Sequence, residues 1–443
     1  MVNQLKWLCC SIALVLGLGS IQTAAAPLSL EDAIKMAIDH NFGVKAAQHD
    51  SAAAVSKLNE ARADRYPMLS LAAKSFYVSN LQKLALQLPA PFHVPQTDLG
   101  SHDNYQADLT LSLPLFTGGR VTRRIAMESE YAWAGSEQLA SQKLATAYQC
   151  RRQYLNLVAA QAVVAAAKAS LERLSLIQKD VQNMYDNGMA DSLDILDAAQ
   201  ALKKGTQLVD EQETTRQNSL RQLAQSVGAS DTSGLAIIDT TPSPNEPRYA
   251  APTMADIARP EVMRLDHVIA AADNAAVLSA AAYFPTVSAF GGYSVGMPNK
   301  DMFGKSWNDY FSAGLALNWD FNIGGKTSRT VATARQTASS VRMTKAKLQD
   351  DLLLQSVLAR NNLTLAYNSY GSAADVFDIA QRKFNLARQK QREGNLSLNR
   401  FLEQEADLTA TEQQYRAAVV RYFLAETDYF YAIGSTRLYG GLQ

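Results

Sequence analysis

The chain has 443 residues, with 42 Lys and Arg balancing 42 Asp and Glu. That length allows two or three domains. Zero net charge removes the basic footprint of a nucleic-acid binder and gives no charge-based reason to expect an acidic partner.

The N-terminus reads as a cleaved secretory signal over residues 1–25. Lys6 supplies the positive start, residues 8–19 an apolar core, and residues 20–26 a small-residue cleavage region. The core is well short of the roughly 20 residues a spanning helix needs. Cys9 and Cys10 fall inside the signal, which leaves Cys150 alone in the mature protein, so no internal disulfide is expected. Cys150 falls mid-helix and is expected to pack.

After the signal, residues 29–64 read as two helices. Ser29 is placed to cap the first, with Asp32 in the capping-box position. Tyr66-Pro67 ends the second. Residues 68–79 alternate as a strand, residues 80–104 carry prolines and Gly100 as a long loop, and residues 105–116 return, making a hairpin over residues 67–116. The stretch LTLSLPLFTGGR (109–120) then passes from alternation to a Gly pair. Leu109, Leu111, Leu113 and Leu115 share one face, with Asp108, Thr110 and Ser112 opposite. From Gly119 to about Asn187 the pattern is helical, and at about 1.5 Å per residue this gives a helix of about 100 Å. Asn187-Gly188 is a helix-ending turn. Ser192 is expected to cap a returning helix that Gly228 closes, completing a helical hairpin over residues 119–228.

Residues 229–258, with Pro242, Pro244, Pro247 and Pro252, read as a linker. The second half then repeats the first: a helix over residues 259–282, a hairpin over 285–321 containing LALNWDFNIGGK (315–326), a helical hairpin over 325–433, and a tail over 436–443. Gly118, Gly119, Gly188 and Gly228 each have a partner 206 positions on, at Gly324, Gly325, Gly394 and Gly434. The chain is thus read as a tandem duplication, with repeats over residues 26–228 and 259–435. No proline falls within residues 115–241 or 299–443. A proline inside a helix costs about 3 kcal/mol, so these are the stretches where long helices can run.

No catalytic constellation is present. The five histidines are scattered, and no metalloprotease, phosphate-loop, dinucleotide or nucleophile-elbow motif occurs. The chain is not expected to be an enzyme or to hold a metal or other cofactor. The Gly pairs follow alternating strands and read as bends between strand and helix at Gly118, Gly119, Gly324 and Gly325.

The strands are long enough to cross a bilayer when tilted. Tyr66, Tyr105, Phe116, Phe284, Tyr310, Trp319 and Phe321 gather near their ends like an interfacial girdle. Four strands cannot close a barrel, and lipid does not tolerate open edges. The chain must then oligomerise, and a dimer would give eight strands, a trimer twelve. The long helices carry too many charged and amide side chains for lipid and must project into water.

The sequence resembles the TolC-like outer-membrane efflux protein family over nearly its whole mature length. The resemblance rests on LSLEDAIKMAIDHN (28–41), PLFTGGR (114–120), its echo FNIGGK (321–326), and YDNGMADSLDIL (185–196). It implies a mainly α fold with a small transmembrane β part. Three chains would form a twelve-stranded barrel in the outer membrane, continued by a periplasmic α-helical tunnel. It further implies a passive exit duct working with a periplasmic membrane-fusion adaptor and an inner-membrane transporter. By the same resemblance the tips that meet the adaptor fall at Asn187, Gly188 and Met189 and at Glu393, Gly394 and Asn395. The family places a short Val-Gly turn at these tips, and here a polar residue precedes each glycine. Gate residues of the tunnel fall at Asp194, Asp197, Arg400 and Glu403. Arg400 reverses the charge usual at its position, and it is expected to pair with Asp194 or Glu403 in the closed state. A duct for type I protein secretion shares this fold. A periplasmic coiled-coil structural or adaptor protein without a barrel is a third reading, disfavoured by two helical hairpins and by strands with one apolar face.

Overall fold

A computed structural model of the chain describes residues 28–84, 97–229, 236–237, 242–301, 303 and 306–441. The expected signal, and most of the tip of the first hairpin, lie outside the described residues. The fold is mainly helical. In chain order the elements are α1 (Leu30–His40), α2 (Phe42–Ala63), β1 (Met68–Tyr77), β2 (Gln82–Leu84), β3 (Thr97–Leu99), β4 (Asp103–Phe116), α3 (Arg120–Asp186) and α4 (Ser192–Val227). The second half holds α5 (Pro260–Ala280), β5 (Thr286–Met297), β6 (Asn308–Asn318), α6 (Lys326–Arg392) and α7 (Leu398–Ile433).

The two helical hairpins are matched residue for residue. α3 and α6 each have 67 residues, and α4 and α7 each have 36. At about 1.5 Å per residue the long helices span about 100 Å. Nearest the sheet, α2, α3, α5 and α6 lie side by side; in the far half the order is α4, α3, α7, α6. α3 and α6 run through both layers, and α2, α4 and α6 stand at the edges. The one hydrophobic window in α3 that is apolar enough to cross a membrane is half buried inside this helical layer.

The main sheet has four antiparallel strands in the order β1-β4-β5-β6, with β1 and β6 unpaired at its edges. The β4–β5 pairing joins the two halves of the chain. Several expectations are corrected here. The long loop of the first hairpin contains a second small sheet, β2 with β3. β1 stops at Tyr77. β6 ends at Asn318 rather than Phe321, because its partner β5 begins at Thr286 and Pro285 has no N–H to extend the ladder. Trp319 and Phe321 instead stack on each other beyond the strand.

Ser29 does cap α1, accepting from the Asp32 amide. For α4 the cap is Asp191, not Ser192: its carboxylate accepts from the Leu193 and Asp194 amides, and Asp194 answers by accepting from the Asp191 amide. Aspartate wins because it satisfies two orphan amides at once.

Where the two layers meet, α7 ends at Gly434 and α5 begins. Gly434 has φ +70°, and a Cβ there would lie within 2.4 Å of the Ala258 carbonyl oxygen, so only glycine fits. The residues read as a linker strap this level: Tyr422 donates to the Asn245 carbonyl at 2.8 Å and Arg360 to that of Tyr249 at 2.9 Å. The expected tail is also packed. Leu438 is fully buried, and Arg151, only 1 % exposed, donates to the Gly440 carbonyl at 2.7 Å and to Thr427 Oγ1 at 3.1 Å. Burying a guanidinium requires such partners. Cys150 packs in the same core, where burial pushes its thiol up to about 12.

Candidate functional site

The sheet has two unlike faces, and the register fixes which residues share them. One face carries Leu69 and Leu71 of β1, Leu109, Leu111 and Leu113 of β4, Val287, Tyr293 and Val295 of β5, and Phe311, Leu315 and Leu317 of β6. Much of it meets nothing: Leu71 is 75 % exposed and Phe311 72 %. Soluble monomers rarely leave a contiguous apolar face of this kind uncovered. The other face is mainly polar or small, with Ser70, Lys74, Gln106, Asp108, Thr110, Ser112, Ser294 and Ser312 on it. The chain turns from β4 into α3 through Gly118 (φ +63°) and Gly119 (φ +85°). In the second copy Gly325 alone is left-handed, at φ +69°, and Gly324 is not.

At the far ends of the helical hairpins the two tips are built alike. Gly188 and Gly394 both have φ +72°. The Met189 amide reaches the Met184 carbonyl at 2.8 Å, and the Asn395 amide reaches that of Lys390 at 2.8 Å. Asn187 and Glu393 are the C-caps and donate to Asn183 and Gln389. Their polar side chains are therefore compatible with the turn, and at the first tip Asn187 Nδ2 adds a bond to the Asn183 carbonyl at 2.7 Å. Met189, Leu193 and Leu196 leave a bare apolar surface on the first tip.

The four charged positions singled out in sequence do not form one cluster in the protomer. Asp197 and Glu403 line a single groove of about 530 Å³ between α4 and α7. Asp194 is engaged in its capping box, and Arg400 is exposed. Among the described residues no ion pair joins Arg400 to Asp194 or Glu403.

Ser170, Glu405 and Thr409 line the same groove and belong to a polar network that sequence reading missed. Glu405, 3 % exposed, accepts from Ser170 Oγ at 2.9 Å, Thr409 Oγ1 at 2.8 Å and Arg173 Nε at 3.1 Å. Arg173 also donates to Thr409 Oγ1 at 2.9 Å and lies over the Phe384 ring. This network clamps α3 to α7. Its partners across α3 and α7 lie 232 to 236 residues apart in sequence, and the one clue in sequence was a glutamate on the apolar stripe of α7.

Near the junction of α7 and α5, Arg259 binds Glu261 at 2.7 Å and covers the Tyr431 ring. Burial alone would raise the Glu261 carboxyl, but the Arg259 guanidinium outweighs it and holds the group below its ordinary value. Among the described residues no group of three or more His, Cys, Asp or Glu is arranged to hold a metal ion.

The outer edge of α6 carries a second bare surface. Met343, Leu354, Leu358, Leu365, Val376, Ile379 and Leu386 are exposed. At 100° per residue they fall on a stripe opposite Leu352, Ala359, Leu363 and Ala366, which are buried on the side of α7. The stripe runs for about 65 Å.

The family model for outer membrane efflux protein matches residues 33–229 and 251–427. No curated protein matches the chain in sequence. Among solved structures, one of CusC, described in terms of folding and transmembrane channel formation, superposes with TM-score 0.77 at 16% identity, covering 93% of this chain and 94% of that one. The Campylobacter jejuni CmeC outer membrane channel gives 0.73 at 15% identity, covering 98% and 94%. The outer membrane protein VceC of Vibrio cholerae gives 0.72 at 14% identity, covering 94% and 97%. At these identities the superpositions speak for the fold.

Proposed function

The chain belongs to the outer membrane efflux protein family, and from that premise we propose that it is one third of a passive exit duct in the outer membrane. Three copies close a twelve-stranded barrel, β6 of one pairing with β1 of the next, with the leucine face toward lipid and the Asp108 face toward a water-filled lumen. The helices continue the lumen as a tunnel through the periplasm. A periplasmic adaptor docks at the tips around Asn187, Gly188, Met189, Glu393, Gly394 and Asn395, and an energised inner-membrane transporter supplies the cargo. The duct does no chemistry.

The observation that carries this reading is the sheet. It has two unpaired edges and one exposed apolar face, and an open edge in lipid leaves backbone groups that must find partners. Neighbouring copies satisfy both edges at once. In the helical layer the apolar stripe of α6 points the same way, outward at an edge. The exit of solutes needs no titratable catalytic pair and no bound cofactor, only a wall that water can wet, and the mainly polar or small Asp108 face supports that role.

The test is membrane extraction and crosslinking of the exported protein, followed by reconstitution. The protein is expected to resist salt and high pH, to come out with detergent, to crosslink as a trimer, and to conduct ions in a planar bilayer. Extraction by salt as a monomer that does not conduct would sink the proposal.

A further inference from the structure

The duplication gives each helix of one half a counterpart in the other. α3 and α6 begin 206 residues apart, at Arg120 and Lys326, and so do α4 and α7, at Ser192 and Leu398. α2 and α5 begin 218 apart, at Phe42 and Pro260, the offset that also separates Pro67 from Pro285. α3 is flanked on both sides, by α4 and α2 on one and by α7 and α5 on the other. α6 has α7 and α5 on one side, and its other side is the open edge of the layer.

The side of α3 that meets α7 is held by polar clamps. Ser170 and Arg173 donate to Glu405 at 2.9 and 3.1 Å, and Arg173 donates to Thr409 at 2.9 Å. Tyr148 and Arg152 donate to Asp428 at 2.9 and 3.4 Å, and the Tyr148 ring stacks on that of Tyr431 with centres 4.1 Å apart. Moved on by 206, Tyr148, Arg152, Ser170 and Arg173 become Leu354, Leu358, Val376 and Ile379. These are four of the seven apolar residues that stand exposed on α6, and at 100° per residue Met343, Leu365 and Leu386 fall on the same side. The open side of α6 is thus the counterpart of the α7-facing side of α3, with hydrocarbon where α3 carries its clamps.

The repeat also identifies the surface that lies opposite. Moved back by 206, Glu405, Thr409, Asp428 and Tyr431 of α7 become Ala199, Lys203, Gln222 and Gln225 of α4, at the other edge of the same layer. The grooves of the two halves agree. Tyr148 of α3 is one wall of a groove whose other walls include Asp351, Gln355 and Ala359 of α6 and Asp428 and Tyr431 of α7. The same positions of the first half, Ala145, Gln149 and Gln153 of α3 with Gln222 and Gln225 of α4, line a groove of about 610 Å³. No residue of α6 or α7 lines it among the described residues, and the counterpart of Tyr148 is Leu354.

We infer that the seam between copies repeats the seam inside each copy, with α6 of one copy seated on α4 of the next in a single register. Leu354 and Leu358 lie on Gln222 and Gln225, and Val376 and Ile379 on Ala199 and the aliphatic stem of Lys203. The inference rests on the duct reading above, since it needs further copies beside the first. The seam between copies is then apolar where the seam within a copy is fixed by charge. Hydrocarbon contacts have no direction, whereas the buried Glu405 must keep its donors.

The experiment places cysteine pairs in the full chain in intact cells and treats them with a short bismaleimide. Cys150 gives no background, being buried with its thiol pushed up to about 12. Leu354→Cys with Gln225→Cys, and Val376→Cys with Ala199→Cys, are expected to link one copy to the next and give bands up to the trimer. The exchanged pairs, Leu354→Cys with Ala199→Cys and Val376→Cys with Gln225→Cys, stand about 40 Å out of register and are expected to crosslink at least about tenfold less. Each single-cysteine variant is expected to give none. An amine-reactive crosslinker reports the trimer independently in every variant and in the parent. Amine-linked trimers without bismaleimide bands in the matched pairs, or with equal bands in the exchanged pairs, overturn the seam and leave the duct reading standing. A parent protein that gives no trimer with the amine reagent overturns both.

Discussion

At the scale of single residues, the fold depends on charges and glycines set where two helices meet end to end. Arg259 and Glu261 join the start of α5 to the end of α7: Arg259 donates to the Tyr431 carbonyl at 2.7 Å, while Glu261 accepts from Ser141 at 2.8 Å. Because the Glu261 carboxyl is held below its ordinary value of 4.5, the pair contributes stability that is fully present above that value. It is lost as pH falls through the depressed one. Glu261→Gln is therefore expected to lower the melting temperature at pH 7, by an amount set by about 3 kcal/mol for breaking a buried pair. The gap between variant and parent should close as pH drops below 4.5. Melting curves across pH check this, and a gap that stays constant into acid would show that Glu261 acts by packing. Little at this scale was legible in sequence. Arg259-Pro260-Glu261 reads as a helix start, but its partners Tyr431 and Ser141 belong to other elements. Arg151 looks like any helix arginine until the buried C-terminal turn is folded over it.

At the scale of elements, sequence periodicity read the long helices almost to the residue. Two constraints coincide there, absence of proline and a glycine that closes each helix, and both act locally. It did worse where a boundary is set by a partner. β6 ends opposite the first residue of β5, and the cap of α4 fell to Asp191 over Ser192 because the reciprocal bond that Asp194 accepts from the Asp191 amide decides between adjacent candidates. The α6 stripe was not legible as a separate feature, because its leucines read like core until α7 is seen to occupy the opposite side. In the proposed assembly that stripe meets a neighbouring copy. Leu358→Asp with Leu365→Asp would place two charges on it without touching the Leu363 side that packs in the core. The protomer is expected to keep its helical circular-dichroism signal while the crosslinked trimer is lost. Trimers formed as readily as by the parent would remove α6 from the interface.

At the scale of the whole molecule, the proposed duct needs a means of closing at its far end. Asp197 and Glu403 line one groove and Arg400 stands exposed beyond it, so the protomer presents mixed charge near its tips. The sequence pointed to Arg400 pairing with Asp194 or Glu403, but in the protomer Asp194 is committed to its capping box and Arg400 pairs with neither. In the proposed duct a closing contact of Arg400 would then reach a carboxylate of another copy, such as Glu403 or Asp197, neither of which is in an ion pair among the described residues. In the proposed duct such contacts would break one by one on opening, whereas the buried Arg173–Glu405 clamp holds α3 to α7 within each copy. On that reading opening separates copies and keeps the two helical hairpins of each copy together. On this basis Arg400→Ala should raise the resting conductance of the reconstituted trimer severalfold and shift it toward cations, because three positive charges leave a ring of carboxylates behind. Arg400→Lys should restore the closed state in part, since it keeps the charge and loses the paired geometry of the guanidinium. Single-channel recordings of the three proteins decide the matter: an Arg400→Ala channel with unchanged resting conductance and selectivity means that closure rests on the apolar contacts of the tips instead.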